Sequence, residues 1–190
     1  MKKLVIALAT ALAVPAAATA QDPQSAALLA EQTERMKAFE WQEGLWRGDA
    51  TFQTPNGPFE MVQVERVGPF LGGSVKIVEG RGYDKDTGEA VFNALGIIKW
   101  HNELGEYRFH TFAQGRSGVY PVELTETGYN WWIEAGPMTM RYETTFTDGV
   151  WHEVGYRIMG DAEPVQFFEM KLRRVGDNDW PGPVPMNVGQ

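Results

Sequence analysis

Between Leu45 and Val175 turn-forming residues recur at intervals too short for a helix of ordinary length. The breaks are Thr54-Pro55-Asn56-Gly57, Gly68-Pro69, Asp84 to Gly88, Asn102 to Gly105, Gly115 to Gly118, Thr127-Gly128, Gly136-Pro137, Asp148-Gly149 and Gly160-Asp161. They leave ten runs rich in β-branched and aromatic residues, at about 45–53, 58–67, 74–83, 90–100, 106–113, 119–126, 129–135, 138–147, 150–159 and 165–175. Short links favour antiparallel neighbours, and a long meander loses its exposed edges by closing on itself. The expectation is therefore an all-β fold, an up-and-down antiparallel barrel of about ten strands with a short N-terminal helix. Alternation supports it: Met138, Met140, Tyr142 and Phe146 share one phase, with Thr139, Arg141, Glu143 and Thr145 on the other. Tyr107 and Phe109 likewise oppose Arg108 and His110, and Phe168, Met170 and Leu172 oppose Glu169, Lys171 and Arg173.

The flanks divide the chain further. Lys2 and Lys3, an apolar run over 4–14 and Ala18-Thr19-Ala20 have the pattern of a bacterial secretory signal peptide at 1–20, cleaved before Gln21. The run is shorter than the roughly 20 residues that span a bilayer, and Pro15 interrupts it. Localisation is accordingly expected to be periplasmic or secreted, with no stable membrane insertion after cleavage. Residues 21–44 carry the helix: Asp22 suits the N-cap, Pro23 the first helical position, and Leu29, Met36 and Phe39 follow at helical spacing. The barrel occupies 45–175, and 176–190 is expected to be an extended tail with Trp180 as its anchor.

Composition removes several function classes. The full chain of 190 residues has 17 basic and 25 acidic residues, and loss of Lys2 and Lys3 with the leader makes the remainder more acidic still. Nucleic-acid partners need clustered Lys and Arg, which are absent. With no cysteine there is no disulfide, thiolate nucleophile or Cys-held metal.

The segment Glu43-Gly44-Leu45-Trp46-Arg47-Gly48 places a Gly-x-Trp-x-Gly at the start of the first strand. In this it resembles the calycin superfamily of lipocalin-like and nitrobindin-like barrels. A further resemblance, to a group of uncharacterised exported bacterial calycin-like proteins, rests on Gly72-Gly73, Gly82-Tyr83-Asp84 and Trp151-His152-Glu153, and spans about 40–175. The resemblance implies that Trp46 closes one barrel end, with Arg173 or Arg174 packed on its indole. It departs from nitrobindin-like sequences in lacking a late-strand histidine placed as an axial ligand, so no cofactor is implied.

Catalytic motifs are few. His101, His110 and His152 lack metal-site spacing, so no metal ligand is assigned. Neither Ser74 nor Ser117 sits in a Gly-x-Ser-x-Gly elbow, and the glycines at Gly80, Gly82 and Gly88 precede no phosphate-binding helix, so no catalytic residue is assigned either. The chemical resource left is an aromatic interior, since ten strands enclose more space than eight. The candidate ligand-binding residues are Trp100, Phe109, Trp132, Trp151, Arg141 and Glu153, the last two read as an inward pair orienting the polar head of a small hydrophobic or amphipathic molecule. Two alternatives stand beside this binding protein: an acid–base enzyme with Glu153 or Glu65 as base and His110 as acid, and an envelope interaction protein without a small ligand whose outer face or Leu28 to Trp41 helix docks a partner. Oligomeric state and ligand identity are not legible.

Overall fold

The computed structural model describes residues 22–180, so the expected leader at 1–20 and residues 181–190 of the expected tail lie outside the described residues. Asp22 caps helix α1 (Pro23–Met36), its carboxylate accepting from the Ser25 N–H at 3.2 Å. A short 3-10 segment (Lys37–Gln42) follows and feeds ten strands: β1 (Gly44–Thr54), β2 (Gly57–Phe70), β3 (Val75–Asp84), β4 (Ala90–His101), β5 (Glu106–Ala113), β6 (Arg116–Leu124), β7 (Gly128–Ala135), β8 (Met138–Thr147), β9 (Val150–Met159) and β10 (Val165–Gly176). Each pairs antiparallel with the next, and β1 pairs with β10, closing the barrel. Tight hairpins fix the register: Asp148 (φ 54°) and Gly149 (φ 73°) both adopt the left-handed conformation whose twist matches the flanking strands.

Two expected turns move. Gly68-Pro69 belongs to β2, paired with Ile77 and Lys76, and the reversal falls at Leu71–Gly73. Gly118 likewise lies inside β6, because Gln114-Gly115 alone makes the turn. Pro121 has no N–H to donate, and the β6–β7 ladder is confined to Val122–Leu124 opposite Trp131–Tyr129.

The two ends of the barrel differ. Where β1 begins, the 3-10 segment drives Phe39 and Gln42 into the mouth, both fully buried. Trp41 stacks on Phe146 at 5.1 Å and meets Trp151 edge-on at 5.8 Å. Helix α1 lies over this plug: the Tyr107 hydroxyl donates to the Arg35 carbonyl at 2.9 Å, and the Arg35 guanidinium sits 4.5 Å above the Trp100 ring. Lys76, turned inward here, is ion-paired with Glu43. Among the described residues, the opposite end carries only the connections between strands.

Trp46 does close the plugged end, but without the expected arginine. Its Nε1 donates to the Gln42 carbonyl at 2.7 Å, and its ring meets Trp151 and Phe146 edge-on at 5.7 and 6.0 Å. Arg174 instead reaches past Gly44 to the Glu43 carbonyl at 3.0 Å, and Arg173 is exposed. The aromatic plug already covers the indole faces.

The described part of the tail is anchored as expected. Trp180 meets the Phe70 ring at 5.3 Å under the Arg66 guanidinium, which also holds Asp179 at 2.7 Å. Gly68 makes this possible, since a Cβ there would come within 3.0 Å of the Trp180 ring.

Replacing Trp46 with Ala leaves a large void and an unpaired Gln42 carbonyl, so the expected loss is about 3–5 kcal/mol in denaturant unfolding. A loss under about 1 kcal/mol would show that the plug does not depend on this indole.

Candidate functional site

Beyond the plug the barrel keeps an internal cavity of about 240 Å³. Its deeper part is bounded by Trp151 and Tyr129, and its walls by Met61, Phe109, Trp131, Tyr142, Phe168 and Met170. It runs up to the partly exposed Phe52, Phe92, Ala113 and Ile133 at the unplugged end. Trp131 and Tyr142, direct cross-strand partners, stack at 4.1 Å with planes 5° apart, and Phe109 meets Trp131 edge-on at 5.1 Å. A bulge in β10 between Gln166 and Phe168 lets Phe167 and Phe168 both be buried.

Two carboxyl groups stand within these apolar walls. Glu153 accepts from the Thr144 hydroxyl at 2.6 Å and from the Trp131 indole at 3.4 Å. Glu65 accepts from Gln63 Nε2 at 2.6 Å, while Gln63 Oε1 is buried without a partner. Glu65 fits because Gly80 faces it across the β2–β3 ladder; a Cβ at Gly80 would lie 2.7 Å from its Oε1. Gly96 makes the same concession to Phe109. Among the described residues, no Lys, Arg or His lines the cavity.

A carboxylate without a counter-cation in a dry site is costly, so both groups favour the neutral form. Burial pushes Glu65 up to about 8, against the Gln63 hydrogen bond and with nearby Glu153 adding to the rise. Burial likewise pushes Glu153 upward, opposed by the Thr144 and Trp131 hydrogen bonds. The Tyr129 and Tyr142 hydroxyls are driven up by burial too, so both remain neutral near pH 7.

Three of the six expected ligand-binding residues, Phe109, Trp151 and Glu153, line the cavity. Trp100 points inward but lies in the plug, edge-on to Tyr107 at 4.9 Å. Trp132 and Arg141 are corrections. They face each other across the β7–β8 ladder in the phase opposite to Trp131 and Tyr142, which puts them on the outer wall. There Arg141 pairs with Glu143 at 2.8 Å and lies over the Tyr156 ring, so the expected Arg141–Glu153 pair does not form. His110 is in the phase opposite to Phe109 and burial lowers its pKa, so it is no acid for the cavity carboxyls.

Gln63, Trp131 and Tyr142 line the cavity but were not among the six expected residues, and Glu65 appeared only in the enzyme alternative. Their signal is alternation: Met61, Gln63, Glu65 and Val67 share one phase of β2 and are all buried.

No family model matches the chain, and no curated protein matches it in sequence. The fold is similar to that in the crystal structure of Rv2717c from M. tuberculosis, at TM-score 0.56 and 10% sequence identity, over 73% of this chain and 96% of that one. At that identity the likeness concerns the fold alone: a closed ten-stranded antiparallel barrel, consistent with a calycin-like architecture.

The raised carboxyl pKa values fix the sign of a pH effect. Folded Glu65 keeps a proton that the unfolded chain releases above about pH 4.5, so stability falls as pH rises through the window up to about 8. The expected loss is on the order of 3–5 kcal/mol across that window in denaturant unfolding. Glu65→Gln, neutral at every pH, should flatten most of the slope. A wild-type stability that holds level or rises from pH 5 to 8 would contradict the neutral-carboxyl reading.

Proposed function

We propose that this chain is a calycin-like binding protein, exported through its leader at 1–20, that holds one small and mainly apolar molecule inside its barrel. The observation that carries the reading is the cavity itself. An aromatic-walled space of about 240 Å³, sealed at one end by the Trp41 and Trp46 cluster and bordered by partly exposed residues at the other, is a container with one way in. Its volume matches the liquid volume of roughly eight waters, which sets the ligand's size. The polar contacts come from Glu65, Gln63 and Glu153 in place of Arg141.

The outer wall fits a protein bathed in water. Ion pairs Arg66–Glu79, Arg141–Glu143 and Lys171–Glu169 stand where a lipid-facing barrel would present an apolar band. The acid–base alternative is favoured by one observation, the carboxyl at Glu65 poised near 8 within a cavity. It lacks the acid once assigned to it, because His110 is not in the cavity.

Tryptophan emission reads the occupancy, as Trp131 and Trp151 both line the space. Titration with hexanol or benzyl alcohol is expected to change emission saturably. Ala94→Phe, which fills part of the wall, should weaken that binding about tenfold or more, and Arg141→Ala should leave it within about twofold. Emission that none of these probes alters would remove the binding reading.

A further inference from the structure

The polar groups of the cavity are lopsided in a way that selects a ligand charge. Glu65 and Glu153 are both more than nine-tenths buried, and Gln63, 2% exposed, leaves its Oε1 without a partner. All three present oxygen acceptors to the same enclosed space. Against them, Trp151 Nε1 is a buried donor without a partner, and the Tyr142 and Thr111 hydroxyls in the lining can donate or accept. The stacked Trp131–Tyr142 pair and Trp151 add aromatic faces, whose negative quadrupole attracts cations.

We propose that the preferred occupant is a small organic cation, a protonated amine on a hydrocarbon or aromatic body, with its ammonium between Glu65 and Glu153 and its apolar part against Phe109, Trp131 and Phe168. This rests on the binding reading above and names the ligand's chemistry. An ammonium has three donors and no acceptor, so it complements two carboxyl groups and an amide oxygen. A carboxylate ligand has no cation among the described lining residues to pair with, and would have to share the protons held by the two carboxyl groups.

The charged groups around the site leave that assignment intact. Lys76 is held by Glu43 in the plug, and Glu79 is paired with Arg66 on the outer wall. Tyr129 and Tyr142 stay neutral. Arg157 lies exposed over the Phe167 ring at 4.5 Å, outside the lining, and is the cation an anionic head would have to use. In the empty barrel the two carboxyls favour their protons, and an entering ammonium supplies the missing counter-charge, so amine binding should expel protons.

The test is a matched panel on the purified wild-type protein near pH 7: hexylamine, hexanol and hexanoate, then benzylamine, benzyl alcohol and benzoate, followed by tryptophan emission and by calorimetry in two buffers of different ionisation enthalpy. Amines are expected to bind at least tenfold more tightly than the alcohols of the same skeleton, with proton release that the alcohols do not show, and the carboxylates to bind most weakly. Glu153→Gln and Glu65→Gln should each cut the ratio of amine to alcohol affinity at least about fivefold, with a cooperative denaturant-unfolding transition reporting that the variant is folded; a ratio unchanged in both variants would overturn the assignment. Alcohols binding as well as amines would overturn the cation assignment and leave the container reading standing. Tight carboxylate binding, weakened by Arg157→Ala, would overturn it in favour of an anionic ligand. If no member of the panel binds, both readings fall together.

Discussion

Ten tilted strands enclose more space than a single layer of their own side chains fills. Every larger feature of this molecule answers that surplus. At one end the chain folds its N-terminal segment back into the barrel, and Phe39, Trp41, Trp46 and Trp151 become a plug held by the Trp46 indole on the Gln42 carbonyl. Toward the other end the surplus is left as a cavity walled by rings. Inward glycines let the wall thicken locally, with Gly80 and Gly96 giving space to Glu65 and Phe109.

Charge inside such a container follows its own logic. A buried ion pair would have balanced itself, whereas two carboxyls with no cation lining the space among the described residues leave an imbalance that protons or a ligand can satisfy. The pairing seen elsewhere sharpens the contrast. Lys76 is almost completely buried and has Glu43, and Arg66 on the outer wall has both Glu79 and Asp179. Among the described residues, counter-ions stand at the plug and on the outer surface and none lines the cavity.

The architecture was legible in the sequence because turns are local. Asp148-Gly149 and Thr54 to Gly57 carry their reversal in the residues themselves, and ten consecutive hairpin-linked strands leave closure as the natural way to hide two edges. Glycine and proline misled where they served packing: Gly68 is bare so that Trp180 can lie across it, not because the chain turns. The site was half legible for a related reason. Phase tells which residues share a face, and strict alternation along β8 would have kept Arg141 outside with Glu143; assigning it inward set a preference for pairing Glu153 above the pleat. For Trp131 and Trp132 the run of adjacent aromatics hides the phase, and only the partner Tyr142 resolves it. Depth is not legible at all: Trp100 faces inward like Phe109, but it is covered by Arg35 from a helix more than sixty residues away in sequence.

The pairing of β1 with β10 also has a consequence in time. All other ladders join neighbours in sequence and can form as soon as their hairpin exists, but the last one joins Trp46 and Ala50 to Arg174 and Met170 across most of the chain. Until residues 165–176 are available, β1 and β9 both have unpaired edges, and the half-built sheet is a template for another chain. Synthesis therefore passes through a sticky interval that ends abruptly with the final strand. The same residue order that yields a sealed container makes a chain shortened within β10 an aggregating species rather than a slightly weaker barrel.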